Sequence, residues 1–383
     1  MDSNCKRILI STDTVGGVWT YTCELSRALS DLGVEVFVAA MGPEDSLERT
    51  ATLEGAQGVT VFQRALRLEW MEHPWEDVRS AREWLRELEL RYQPDCIHLN
   101  QFACGHALHE APVLIVAHSC VFSWFAAVNG PPPPGAEWDR YRREVTCGLQ
   151  LADGVAAVSQ CMLRELHAHY GDFAEMEPIP NACSLPEEHC SDRKPWILCA
   201  GRLWDDAKNI RLLDEAAPDL VWPVRAAGAC ELSGEMRIST FRNVQLLGEL
   251  DSEAMGREMR TAGIFAAPSF YEPFGLSILE AARAGCALVL SDLPSLRANW
   301  QGAALFADPY DPFEWKECLN RLSTNPVERG ILADAAQARA GSTCFNPEVM
   351  AKHYLKHYQA LMHKSRVSRQ SRRHVSCRQE VHV

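Results

Sequence analysis

Apolar and polar residues alternate along the first hundred positions in blocks that fit short buried strands joined by amphipathic helices. Arg7 to Ser11 (RILIS) is a short apolar run. After a glycine-bearing loop, Val18, Tyr21, Leu25, Ala28, Leu29 and Leu32 form a stripe at helical spacing that Gly33 ends. A second strand is predicted at Val34 to Ala40, a charged helix at Asp77 to Tyr92 and, after Pro94, a strand at Cys96 to Leu99. Strand, helix and strand in this order predict a parallel sheet covered on both faces. The pattern continues with strands at Val113 to Ala117 and Gly154 to Val158. The apolar stretch Ala111 to Val128 is broken by Pro112, His118, Ser119 and Ser123, so it reads as a buried strand followed by a loop and not as a membrane span.

A polar, proline-flanked segment at Leu185 to Pro195 (LPEEHCSDRKP) interrupts the alternation and suits a linker. Beyond it strands are predicted at Trp196 to Ala200, Val224 to Ala227, Val244 to Leu247, Ile264 to Ala267 and Ala287 to Leu290, separated by helical segments. The chain therefore reads as two Rossmann-like halves in tandem. Residues 1–185 form the N-terminal half, 186–345 the second, 346–363 a C-terminal helix packing back on the first, and 364–383 a tail.

Composition sharpens this picture. The chain has 383 residues, of which 47% are hydrophobic, enough for two cores. Its formal charge of -13 argues against a nucleic-acid partner, which requires a basic face. Residues 364–383 nevertheless hold six Lys or Arg against one Glu. Such a basic, serine-rich end is expected to be disordered, and it permits weak contact with an anionic membrane surface. The fifteen cysteines are scattered, odd in number and without a Cys-x-x-Cys pair, so free thiols in a reducing compartment are expected. The N-terminus lacks the apolar core of a secretory signal, and cytoplasmic placement follows as the expectation, peripheral to a membrane if the tail engages one.

The most informative segment is Phe270 to Ala282 (FYEPFGLSILEAA), which follows a predicted strand. Pro273 disfavours helical geometry at Glu272 and leaves that carboxylate in a loop, whereas Gly275 opens a helix. The free amides of Gly275, Leu276 and Ser277 then face an anion such as phosphate. Glu272 beside that site can accept hydrogen bonds from a polyol, and Glu280 inside the helix can bind a second diol such as a ribose. A phosphate between two diols describes a nucleotide sugar; the alternative is an ordinary helix start with two solvated glutamates. Upstream, the strand ending at Ala200 leads into Gly201-Arg202-Leu203, with Lys208 in the same loop. A guanidinium fork and a mobile ammonium together can hold a diphosphate and stabilise it as a leaving group, although either alone suits a surface charge.

The pattern GR(x5)K followed by EPFGLSILEA, on a doubled Rossmann arrangement, resembles the retaining glycosyltransferases of family 4. That resemblance implies an α/β GT-B fold, two Rossmann-like domains facing across a cleft, and covers Lys6 to about Met362. It further implies that Gly16 and Gly17 belong to a glycine loop near the donor diphosphate and the acceptor, and that His118 faces the donor sugar. The implied reaction moves a hexosyl unit from a UDP- or GDP-linked sugar to a hydroxyl acceptor with retention, the leaving phosphate helping to deprotonate the incoming hydroxyl. Arg202 and Lys208 then act on the leaving group and Glu272 positions the sugar. The acceptor is open: a glycan, a lipid-linked sugar or a small molecule.

No Asp-x-Asp occurs in the chain, so catalysis without a metal ion or other cofactor is expected, the nucleotide sugar serving as co-substrate. His106 and His109 lack the i, i+4 spacing of helical zinc ligands. Three departures from the family pattern, Ala182 and Ser184 in PNACS, Ala229 and Cys230 after Gly228, and Ala298, leave the donor base and sugar open. A non-catalytic sugar-nucleotide-binding protein, or an epimerase or hydrolase on the same fold, is the alternative reading.

Overall fold

The computed structural model describes residues 5–107, 109–131, 134–185, 193–232, 235–238 and 241–379; residues 186–192, inside the segment read as a linker, and 380–383 lie outside the described residues. The first elements are β1 (Arg7–Asp13), α1 (Gly17–Asp31), β2 (Glu35–Gly42), β3 (Val59–Ala65), α2 (Trp75–Tyr92), β4 (Cys96–Leu99), β5 (Val113–Ala117), α3 (Val121–Val128), α4 (Ala136–Leu151), β6 (Gly154–Ala157) and α5 (Gln160–Tyr170). Next come β7 (Lys194–Ala200), α6 (Ile210–Ala216), β8 (Val224–Ala227), β9 (Glu231–Leu232), β10 (Glu235–Ile238), β11 (Gln245–Gly248), α7 (Ser252–Thr261) and β12 (Ala262–Ala267). The chain ends with α8 (Leu276–Arg283), β13 (Ala287–Ser291), α9 (Pro294–Trp300), β14 (Leu305–Ala307), α10 (Pro312–Thr324), α11 (Pro326–Ala340) and α12 (Pro347–Gln379).

Two compact units result, and they are not contiguous in sequence. One comprises Met1–His118, Pro133–Ile179 and Glu348–Val383; the other comprises Ser119–Pro132 and Pro180–Pro347. The segment carrying α3 thus groups with the second unit, in contrast to the unbroken ranges 1–185 and 186–345 read from chain order. Val121–Val128 is also helical where a loop is expected. Its Trp124 indole donates to Asp205 at 2.8 Å, a tertiary contact that no local pattern reveals.

In the first unit six strands run parallel in the order β3-β2-β1-β4-β5-β6. The second unit repeats the scheme as β11-β8-β7-β12-β13-β14, with β9 and β10 as a separate antiparallel pair. Strands covered on both faces read as unbroken apolar runs. Ile8, Leu9 and Ile10 in β1, and every residue of β5, β12 and β13, are accordingly buried. Each sheet grows outward in both directions from a central pair, β1 with β4 and β7 with β12. The reversal of strand order there leaves a crevice at the carboxyl ends of those strands.

Helix α1 shows how sequence sets an end. Gly33 takes a left-handed φ of +82°. Its amide reaches the Ser30 carbonyl at 2.8 Å and that of Val34 reaches Leu29 at 3.1 Å, the paired bonds of a Schellman stop. At the other terminus, Met350, Tyr354, Tyr358 and Leu361 recur at helical spacing and are fully buried, so α12 contributes core to the first unit. That helix runs on to Gln379, through most of the tail expected to be disordered. Adding a residue to an existing helix gains a hydrogen bond without repeating nucleation, which a reading of tail composition alone leaves out. Among the described residues no helix is long and apolar enough to cross a membrane, and thirteen cysteines, from Cys5 to Cys344, are free.

One backbone crossing positions the second unit's loops. Gly228, after β8, has φ +139° and a Cβ there would lie 1.7 Å from the Gly201 carbonyl oxygen, after β7. The two loops also share the bonds from Gly201 to Ala227 (3.0 Å) and from Leu203 to Ala229 (2.8 Å). Gly228→Ala should therefore destabilise this unit by about 3 kcal/mol, from overpacking together with backbone strain. Gly330→Ala, exposed inside α11 with no atom within 4 Å of the added carbon, should instead stabilise it by about 0.5–1 kcal/mol. Urea melts of the two variants check the opposite signs.

Candidate functional site

The loop after β7 carries Arg202 and Lys208, and its shape is held from within. Asp205 is buried, and its carboxylate accepts the Ala207 amide (3.0 Å), the Trp124 indole (2.8 Å) and the Arg202 guanidinium (2.7 Å). Burial alone would raise the Asp205 carboxyl. The Arg202 and Lys208 charges and the bonds from Trp124 and Ala207 outweigh it and hold the group below its ordinary value of 3.8. Arg202 also lies over the Trp204 ring, 5.3 Å from its centroid.

Lys208 ends a short 3-10 turn, Asp206–Lys208, and Asn209 follows with a left-handed φ of +52°, which asparagine tolerates better than most residues. The buried Asn209 amide donates to Pro268 (3.0 Å), after β12, and to Pro309 (2.9 Å), after β14. A backbone bond from Phe270 to Ala207 (2.8 Å) adds a second tie. Three loops at the carboxyl edge of the sheet are thereby fixed to one another. Across the joint, Lys208 Nζ meets Glu272 Oε2 at 2.5 Å, both side chains largely shielded from solvent.

The segment after Glu272 forms a helix start. Gly275 has φ +84°, a conformation that favours glycine, and its carbonyl accepts the first helical bonds, from Ile278 and Leu279. The amides of Leu276 and Ser277 have no acceptor within the helix and carry its positive end. Along α8, Ile278, Leu279, Ala281 and Ala282 are buried, while Leu276, Ser277 and Glu280 are half-buried on the remaining face. Ser295 donates to the Glu272 carbonyl at 2.6 Å and steadies the loop from α9. The unit thus offers two cations, a helix N-terminus and two carboxylates around the switch point between β7 and β12.

The other sequence-predicted residues lie in the first unit. Gly16 caps α1 with φ −159°, extended backbone open to any residue, and a Cβ at Gly17 meets no atom within 4 Å. Gly17 leaves open space after β1, and neither glycine is demanded by backbone conformation. His118 follows β5 and is largely buried. Its ring packs 4.3 Å from that of Tyr21, and Nε2 lies 3.0 Å from Asn100 Oδ1. Burial, with a smaller contribution from His98, draws the His118 imidazole down to about 3, so it is neutral at physiological pH.

Three other histidines, His106, His109 and His167, make carboxylate pairs. His109 is 3.0 Å from Glu89, His106 is 3.6 Å from Glu144 and His167 is 2.7 Å from Glu175. Among the described residues no three His, Cys, Asp or Glu gather as a metal-ligand set. Sequence reasoning missed Asp205, Asn209, the bond from the Trp124 indole to Asp205, and Asn100. The Asp-Asp-x-Lys-Asn run around Lys208 carries a turn signal that could have pointed to the first two; the others act through contacts distant in sequence.

Comparison with known proteins identifies the family and the fold. Residues 15–185 match the family model described as Glycosyltransferase Family 4, and residues 194–325 the one described as Glycosyl transferases group 1. The D-inositol 3-phosphate glycosyltransferase of Pseudarthrobacter chlorophenolicus is 26% identical over 372 residues, covering 85% of this chain and 86% of that one. Sucrose-phosphate synthase from Thermosynechococcus elongatus has the same GT-B fold, with a TM-score of 0.76 at 18% identity over 94% of this chain and 100% of that one. Anabaena Alr3699/HepE, in complex with UDP-glucose, gives 0.69 at 16% identity over 92% and 99% of the two chains.

The depressed Asp205 carboxyl has a pH signature. A folded pKa below the unfolded value contributes stability above about pH 4, and that contribution is lost as pH falls through the folded value. Asp205→Asn should therefore be less stable than the parent at pH 7, with a deficit that shrinks in acid. Thermal melts of both proteins between pH 7 and pH 3 read the convergence.

Proposed function

Since the chain belongs to glycosyltransferase family 4, we propose that this glycosyltransferase moves a hexosyl unit from a UDP- or GDP-linked sugar to a hydroxyl acceptor, with retention and without a metal ion. The observation that carries the proposal is the joint of Lys208, Arg202 and Glu272 with the N-terminus of α8 at one sheet edge. A diphosphate needs positive groups from more than one direction, and a guanidinium, an ammonium and a helix terminus supply them without a divalent cation. The UDP-glucose named for the Anabaena structure supports a nucleotide-sugar donor. The absence of Asp-x-Asp from the sequence supports the metal-free reading.

In the proposed reaction the bond from the anomeric carbon to the phosphate oxygen breaks as the bond to the acceptor oxygen forms on the same face. The acceptor proton passes to the departing phosphate. Arg202 and Lys208 stabilise the charge that grows on that phosphate, and Gly275, Leu276 and Ser277 offer it backbone amides. Glu272 accepts hydrogen bonds from sugar hydroxyls, Glu280 holds the ribose diol, His118 meets a sugar hydroxyl, and Gly16 and Gly17 let backbone approach the substrates closely. Neither carboxylate is assigned as a nucleophile.

The test is a transfer assay on the full chain with UDP-glucose and GDP-mannose in the presence of EDTA. Acceptors include free sugars, a lipid-linked sugar and inositol 3-phosphate, for which the actinobacterial relative is named. NMR of the product should show the donor's anomeric configuration. Lys208→Ala should lower kcat/KM by about 10²–10³-fold, as expected on losing one charge-stabilising group from a closed site. Inversion, or activity abolished by the chelator, contradicts the mechanism; nucleotide binding without turnover on any acceptor favours a non-catalytic protein. Adding anionic liposomes to the full chain and to one lacking 364–383 tests whether the tail brings the enzyme to a membrane-bound acceptor.

A further inference from the structure

The hydrogen bonds around His118 determine which of its nitrogens carries the proton. The chain of reasoning starts at a group that can only accept, the Ser11 carbonyl of β1, which lies 2.7 Å from one branch of the Asn100 amide. That branch is therefore the NH2 and the other is the oxygen. The Asn100 oxygen faces His118 Nε2 at 3.0 Å and His98 Nε2 at 3.2 Å. An amide oxygen only accepts, so each ring places its N–H on Nε2; the Tyr21 hydroxyl, 3.3 Å from His98 Nε2, can donate or accept and so adapts to it.

Both rings are neutral, burial holding His98 as well as His118 down to about 3, and a neutral imidazole carries a single proton. Nδ1 of each ring is consequently an acceptor. In His98 it takes the hydroxyl proton of Tyr358, 2.7 Å away on α12, whose buried phenol stays protonated. In His118 it has no partner among the described residues. The opposite tautomer would set the Nε2 lone pair against the Asn100 oxygen and present an N–H at Nδ1, suited to carbonyl or phosphate oxygens.

We infer that Asn100 is a positioning residue that locks His118 with a lone pair at Nδ1, so that the hydroxyl read there must be the hydrogen-bond donor. This specificity rests on the reading that His118 meets a sugar hydroxyl. The lock itself is a property of the unliganded first unit. A hydroxyl satisfies the lone pair; fluorine or a phosphate oxygen at that position does not, because neither brings a proton.

The experiment has two arms. Nitrogen NMR of the full chain labelled at histidine, with His118 assigned from its loss in His118→Gln, should show one tautomer at pH 7, protonated at Nε2. In Asn100→Leu the His118 signals should move to an average of the two tautomers. In Tyr358→Phe, which removes a buried hydrogen bond but leaves Asn100, they should stay put, separating the lock from general destabilisation. A wild-type His118 protonated at Nδ1, or already averaged, overturns the inference. In the second arm, one monofluorinated analogue of UDP-glucose or GDP-mannose should lose at least tenfold in kcat/KM against its parent, and Asn100→Leu should shrink that loss. A loss undiminished in Asn100→Leu overturns the positioning role. Absence of turnover with both parent donors overturns the catalytic reading, while the NMR arm still decides the lock.

Discussion

A parallel sheet extended in both directions from its middle must reverse its strand order there, and the opening this leaves between the ends of β7 and β12 is the constraint on which the second unit's chemistry depends. Two loops leave that point toward opposite faces, and nothing in the ladder itself holds them together. The joint is made by side chains and a few backbone bonds: Lys208 to Glu272, Asn209 to Pro268 and Pro309, and Phe270 to Ala207. The Gly201 and Gly228 crossing holds the first loop from the other side. The cation, the carboxylate and the helix terminus keep their spacing because each is tied to the same small region of backbone.

Charge gives that joint its proposed function. A shielded ion pair has lost much of its hydration, and removing one partner leaves a charge that neither water nor protein satisfies. Lys208 and Glu272 satisfy each other in the unliganded chain. In the proposed reaction a diphosphate takes over Lys208 and sugar hydroxyls take over Glu272, so one exchange of partners serves phosphate and sugar together. Asp205 keeps Arg202 within reach of the same loop without drawing Lys208 from it, its carboxylate being shared among a guanidinium, an indole and a backbone amide.

Much of this was legible in the sequence. Buried parallel strands such as β1, β5 and β13 are continuous apolar runs, and the glutamate motif with its preceding glycine and basic residues marks a helix start that attracts anions. The rest was hidden for identifiable reasons. Strand β3 interleaves Thr60, Gln63 and Arg64 with apolar residues because it lies at a half-exposed sheet edge, and β14 is three residues long. Asn209 bonds a carbonyl 100 positions away, and His98 bonds a tyrosine 260 positions away. No local pattern encodes such pairs. The grouping of α3 with the second unit and the length of α12 likewise follow from packing and from helix propagation, which composition does not report.

The claim that cations and a helix terminus bind a diphosphate without a metal is tested most directly by thermal melts with UDP, GDP, ADP and their glucose, mannose and N-acetylglucosamine conjugates, all in excess chelator. A ligand at a hundred times its dissociation constant adds about 2.7 kcal/mol, which should raise the melting temperature by several degrees. The account predicts such a shift for one nucleotide family, and its loss in Lys208→Ala and Glu280→Ala. A shift that appears only when a divalent cation replaces the chelator, or that survives both substitutions, would contradict it.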